Sequence, residues 1–234
     1  MDIVKSLTFQ FEDPEWLVKI LIGAILVLLG ILTLPIIVGF ALIFVLGGYV
    51  VEVVRNVMEG KETPMPQWDE WGKLFSEGLK FFIIELVWSI PSILFIIFEE
   101  IGRLMTNGNS AGMATLGALF VLVFGLLNLA WGVVLMFITP AVMVNFARVG
   151  EVSAGFDLSF IFDFVQKEVV NIVIAAVIIW VAALAASIAG LILCLIGIFP
   201  ALFWLTMVEA HLYGQIGKEY FEKINSAPAE LPEG

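Results

Sequence analysis

The sequence predicts an all-α polytopic membrane bundle: six transmembrane helices arranged as three helical hairpins, with amphipathic interfacial helices on the cytoplasmic side. Three observations predict it. First, 61% of residues are apolar and only 14% charged, against about 45–50% and about 25% in soluble domains. A chain this poor in polar surface needs lipid over most of its outside. Second, several apolar runs reach or double the roughly 20 residues that a bilayer core of about 30 Å requires. Third, the six-helix reading puts all basic residues but Arg103 on one side, which is the positive-inside pattern of a multi-pass cell-membrane protein with cytoplasmic N- and C-termini.

The elements follow in order. Met1 to Glu15 mixes polar and apolar residues and lacks the basic start and short apolar core of a cleavable signal peptide. Leu17 to Val54 is apolar except for Lys19 and Glu52 near its ends. Gly30 and Pro35 favour a turn in its middle, so helices are expected at 16–33 and 36–57. A polar stretch from Gly60 to Gly78 carries Pro64, Pro66, Trp68 and Trp71, and a third helix is expected at 79–98. Asn107 to Ser110 supply turn formers, and a fourth helix is expected at 113–147. Val170 to Val208 is again of double length and uncharged. It divides into helices at 170–191 and 196–217. The tail 226–234 contains Pro228 and Pro232 and reads as disordered. The chain is thus one transmembrane domain, 1–225, with units at 1–60, 61–150 and 151–225.

Each unit opens on a segment with apolar residues on one helical face: Ile3, Val4, Leu7 and Phe11; Trp68, Trp71, Phe75 and Leu79; Leu158, Ile161, Phe162, Val165 and Val169. Such segments are either interfacial helices or the first turns of the membrane helices. Trp16, Trp68 and Trp71 are expected as interfacial anchors.

The sequence also resembles a known family. The residues that carry this are Phe11-Glu12-Asp13-Pro14-Glu15-Trp16-Leu17 before a long apolar run, Gly48-Tyr49, Arg55, Gly60, Pro66-Gln67-Trp68-Asp69-Glu70-Trp71, Gly78-Leu79, Pro140-Ala141 and Pro200-Ala201. They are similar to an uncharacterised prokaryotic, largely archaeal, integral-membrane family, domain of unknown function 4013, over nearly the whole chain. The resemblance implies the topology. It implies no reaction, ligand or catalytic residue.

Composition excludes some functions. A net charge of −11 argues against nucleic acid, which needs clustered Lys and Arg. A single cysteine, Cys194, forms no internal disulfide or cysteine-based metal site. No G-x-S-x-G or G-x-x-x-x-G-K-[ST] motif is present, and the lone His211 has no partner at metal-ligand spacing. No metal, cofactor or enzymatic activity is expected.

A few polar residues inside apolar runs remain as a candidate intramembrane site. Glu85 lies in Phe81-Phe82-Ile83-Ile84-Glu85-Leu86-Val87-Trp88, where a charge costs a few kcal/mol on insertion scales. Glu52, Asn145 and Glu209 sit near the inner ends of helices two, four and six. Converging, they would line a polar vestibule; otherwise they are separate interfacial residues. Glu52 has Arg55 at i+3, and His211 ends the same helix as Glu209. Asn128 is a mid-membrane amide, Pro91 marks a kink, and Ala182, Ala186 and Gly190 form a small-residue stripe for helix packing. The function expected is non-enzymatic binding of membrane lipid, another protein or a second copy of the chain. The alternative is a small transporter or channel using Glu85 and the vestibule.

Overall fold

The computed structural model describes residues 1–107, 110–192 and 197–226. Among the described residues the chain is all-helical: α1 (Ile3–Thr8), α2 (Trp16–Leu32), α3 (Val38–Met58), α4 (Trp71–Thr106), α5 (Ala111–Val149), α6 (Leu158–Ile192) and α7 (Ile198–Ser226). Short 3-10 turns at Phe9–Glu12 and Val152–Phe156 precede α2 and α6. Four helices, α3 to α6, are long and apolar enough to cross a membrane, and they point to a membrane-spanning protein. The segment Ile3–Glu12 and α2 pass the same test together, but they are bent by 99°.

Helix starts differ from the expected ones. α4 begins at Trp71 and α6 at Leu158, so the second and third amphipathic segments continue directly into long helices. Only the first stands apart as a short helix and a 3-10 turn. The cause is local: once nucleated, a helix propagates until something stops it. Pro14 stops the first segment, whereas no proline lies between Trp71 and Pro91 or between Leu158 and Ile192.

The expected loop at 99–112 shrinks for the same reason. α4 runs on to Thr106, and Ser110 caps α5 by accepting from Met113 N–H at 3.2 Å. Pro91 lies inside α4 without ending it. Across the hairpin, Trp131 Nε1 donates to the Trp88 carbonyl at 3.1 Å, one residue past the Val87 carbonyl that Pro91 leaves without its helical donor. The expected boundary between the last two long helices falls on residues 193–196, which include Cys194 and lie outside the described residues, as do 227–234 of the expected tail.

The buried core sits at one end. Tyr49, Val51, Val53 and Val54 of α3, Val144 and Phe146 of α5, and Met207, Leu212 and Ile216 of α7 are fully buried there. α3 is central and packs on α2, α4, α5 and α7, while α2/α3, α4/α5 and α6/α7 pack as sequence neighbours. The α3–α4 crossing depends on two glycines. A Cβ on Gly48 would overlap the Leu74 carbonyl, and one on Gly78 would overlap the Phe44 carbonyl. Backbone meets backbone, as small residues permit in helix packing. At the far end of the hairpin, a Cβ on Gly102 would lie 2.9 Å from the Gly117 carbonyl, so α4 and α5 touch similarly there. The small-residue stripe of α6 is also used within the chain: Ala182, Ala186 and Gly190 are buried, and a Cβ on Gly190 would lie 2.7 Å from the Ile198 side chain of α7.

Candidate functional site

The five polar residues singled out in the sequence occupy four settings. Glu52, on the last turns of α3, ion-pairs with Arg55 one turn on, as its spacing suggested. It also pairs with Lys73 of α4 at 3.2 Å. Arg55 reaches Glu77 of α4 at 2.8 Å and donates its Nε–H to the Ala147 carbonyl of α5 at 2.7 Å. A guanidinium has enough donors for all three. The network therefore ties α3, α4 and α5 together and satisfies Glu52 as a structural charge.

Asn145 belongs to a second setting, the C-terminal end of α5. Its Nδ2 donates to the Ala154 carbonyl at 2.9 Å, and its Oδ1 accepts from Arg148 at 2.9 Å. Lys80 donates to the Gly150 carbonyl (3.0 Å) and Trp88 Nε1 to the Gly155 carbonyl (3.0 Å). A helix end leaves carbonyls without partners, and here side chains from α3, α4 and α5 meet them. Arg148 also lies over the rings of Phe160 and Phe221, at 5.5 and 5.0 Å from their centroids.

Glu85 and Glu209 form the third setting. Although they stand on α4 and α7, Glu85 lies within the electrostatic field of Glu209, and Tyr213, one turn beyond Glu209, is within range of both. The structure thus brings together two carboxyls and a phenol that are far apart in sequence.

His211 makes the fourth. It is buried, stacks on Phe9 with centroids 4.3 Å apart, and meets Ser6 Oγ at 3.0 Å and Gln215 Nε2 at 2.9 Å through Nδ1. These contacts dock α1 on α7. Beside them opens a polar cleft of about 670 Å³ between α1, the turn after α3 and the last turns of α7. Asp2, Lys5, His211 and Lys218 are among its lining residues.

The expected anchors divide as well. Trp71 is exposed at 43%. Trp16 is half-buried and edge-on to Phe11 at 5.2 Å. Trp68 stacks on Tyr49 at 4.0 Å and donates its indole N–H to the Lys19 carbonyl at 3.2 Å, so it is a packing residue of the α2–α3 junction.

Three buried charges escaped the sequence reading. Lys19 and Asp13 are both 4% exposed and pair at 2.7 Å, with Lys19 also donating to the Met65 carbonyl at 2.9 Å. Glu168, fully buried on α6, pairs with Lys223 of α7 at 2.6 Å and accepts from Asn171 at 2.7 Å. Acidic Asp13 directly after the 3-10 turn and Lys19 at the head of an apolar run were the available signal. Nothing local marks Glu168. Among the described residues no group of three or more His, Cys, Asp or Glu side chains is placed to hold a metal ion.

A family model described as a protein of unknown function (DUF4013) matches residues 28–195, well over half of the chain. The match leaves α1, most of α2 and α7 outside it. No curated protein and no solved structure matches the chain.

Proposed function

The chain belongs to the DUF4013 family of proteins of unknown function, and we propose that it is a six-span, three-hairpin membrane protein that binds lipid through its apolar half and catalyses no reaction. One contrast carries the reading. The charged end arranges ion pairs and capped carbonyls around a polar cleft, whereas the apolar half opens clefts with apolar walls. Between α2 and α7 lies a cleft of about 480 Å³ lined by Leu21, Ala24, Ile25, Leu28, Phe199 and Pro200. Between α6 and α7 lies another of about 390 Å³ with Ala183, Ala186, Leu202 and Leu205 among its walls. In a bilayer such walls select acyl chains, because the polar side chain among them, Ser187, donates its hydroxyl to the Ala183 carbonyl of its own helix.

α2 and α7 count as spans in this reading because each shares a double-length apolar run of the sequence with its neighbouring helix. Both termini belong in the cytoplasm, since every basic residue except Arg103 sits at the end that carries them. The segment Ile3–Glu12 then lies along the inner interface.

Purification in mild detergent followed by lipid extraction tests the reading. Phospholipid should copurify in fixed stoichiometry, and A24W together with A201W should lower it at least about fivefold by filling both clefts. Wild-type protein that retains no lipid would refute it.

A second reading rests on Glu85, Glu209 and Tyr213, which make a candidate site for a proton or cation on a transport path. Proteoliposomes holding a pH-sensitive dye decide it. Proton flux above the protein-free background that disappears in Glu85→Gln would favour transport, and background flux from wild type would exclude this use of the pair.

A further inference from the structure

We propose that the pocket at the C-terminal end of α5 holds the head of a zwitterionic phospholipid, with its phosphate on Arg148 and its primary ammonium on Asp157. Both residues line one polar pocket of about 280 Å³, together with Asn145 and Ser153. They carry opposite charges, yet neither forms an ion pair with the other or with any charged group among the described residues. Arg55 and Arg103, by contrast, each pair with two carboxylates. A pocket that keeps one cation and one anion apart complements a ligand with the same two charges reversed.

The Arg148 guanidinium is fixed before anything binds. It donates to Asn145 Oδ1 at 2.9 Å and lies over the Phe160 and Phe221 rings, 5.5 and 5.0 Å from their centroids. Asn145 is buried and itself donates to the Ala154 carbonyl at 2.9 Å. The rings attract the charge through their faces and accept none of its in-plane N–H groups. A guanidinium has more N–H groups than these contacts use, so a fork remains for a phosphate. Little side-chain entropy is left to lose on binding. Asp157 is held too. Its Oδ1 accepts from Phe160 N–H at 3.0 Å at the start of α6, and its Oδ2 has no donor among the described residues.

Charge and surroundings choose the occupant. Lys80 at the Gly150 carbonyl and Glu151 beside Ser153 add one charge of each sign nearby. The region is balanced and favours a zwitterion over an anionic head. Its rim is apolar, for Val149, Leu158 and Phe162 are all exposed. A polar pocket with an apolar rim suits a head whose chains stay in the bilayer. The inference rests on the membrane placement proposed above, which puts this end of α5 at the inner interface, but it uses neither acyl cleft.

Native mass spectrometry of the full-length protein in detergent, with lipids of equal chain length and different heads, tests the pocket. Wild type should keep one phosphatidylethanolamine against about a tenfold excess of phosphatidylglycerol, which has the phosphate but no ammonium. Lipids in the acyl clefts should instead follow the mixture. Asp157→Asn keeps the α6 cap, because Asn caps as well as Asp, and should lose the retained lipid. Arg148→Gln should lose it as well. Glycerophosphoethanolamine, the head without chains, should compete only at about a hundredfold higher concentration or more. Bound lipid that follows the mixture in wild type would overturn the pocket alone, as would a retained phosphatidylethanolamine in Asp157→Asn or Arg148→Gln. Competition by glycerophosphoethanolamine at the concentration of the lipid would overturn the lipid assignment in favour of a soluble ligand. Protein that binds no lipid would overturn the pocket and the lipid reading together.

Discussion

The C-terminal end of α3 and the far part of the α4–α5 hairpin are built from the same kinds of residue and treated oppositely. Tyr49, Val51, Val53 and Val54 have no exposed surface, while Leu94, Leu122 and Leu129 are 48%, 57% and 67% exposed. Hydrophobicity alone therefore does not say what a side chain touches. In a membrane the alternative to protein contact is lipid, so burial gives little transfer energy and close packing decides which helices associate. The α3 end has that packing, through glycine crossings and ion pairs. The hairpin has it only along its seam, at Gly102 and Gly117 and at the Phe98–Phe124 stack 4.7 Å apart. One region is a folded core and the other is a pair of helices presented to lipid.

The contrast can be broken most severely at the α3–α4 crossing. Gly78→Val or Gly48→Val puts side-chain carbon where a carbonyl already lies. We expect a loss of more than about 4 kcal/mol, beyond the range of ordinary substitutions, read as failure to elute as a monodisperse species in detergent. Gly125 and Gly132 face open space, and the same change there should leave elution intact. If Gly78→Val behaved like Gly132→Val, the crossing would not be the element that holds the hairpin to the core.

Next in size is the buried pair. Lys19→Met leaves Asp13 charged and unpaired at 4% exposure and frees the Met65 carbonyl. A loss of about 3–5 kcal/mol follows from stranding a buried charge, measured by thermal unfolding in detergent. The double variant with Asp13→Leu should recover much of it, since both charges are then gone. Tyr49→Phe is milder. It removes a 3.1 Å hydrogen bond to the Pro66 carbonyl but keeps the stack on Trp68, and should cost about 1 kcal/mol.

Much of this architecture was legible in the sequence, and the limits have physical causes. Apolar runs marked where long helices would be, because a run is a property of consecutive residues. The Glu52–Arg55 pair was legible since three residues make nearly one helical turn. The starts of α4 and α6 were not, because an interfacial helix and a first helical turn share one periodicity. The joining of Glu85 to Glu209, or of Glu168 to Lys223, depends on which helices become neighbours, and no local pattern encodes that. Gly48 and Gly78 stood out only through family resemblance, and the crossing gives their physical reason.

The smallest effect is the sharpest test of the comparison. Leu212→Ala and Leu129→Ala remove the same three heavy atoms from helices in the same protein. Leu212 is fully buried on α7, and its removal leaves a cavity whose lining loses its contacts, for about 2–5 kcal/mol. Leu129 projects from α5 at 67% exposure. In detergent its side chain passes from one apolar solvent to the same solvent on unfolding, so there is no transfer term and no cavity. Its truncation should fall within about 0.5 kcal/mol of wild type, seen as an unchanged midpoint in thermal unfolding. A clear loss at Leu129 would mean that the open face of the hairpin is covered in solution, and the lipid-facing assignment of α5 would fail with it.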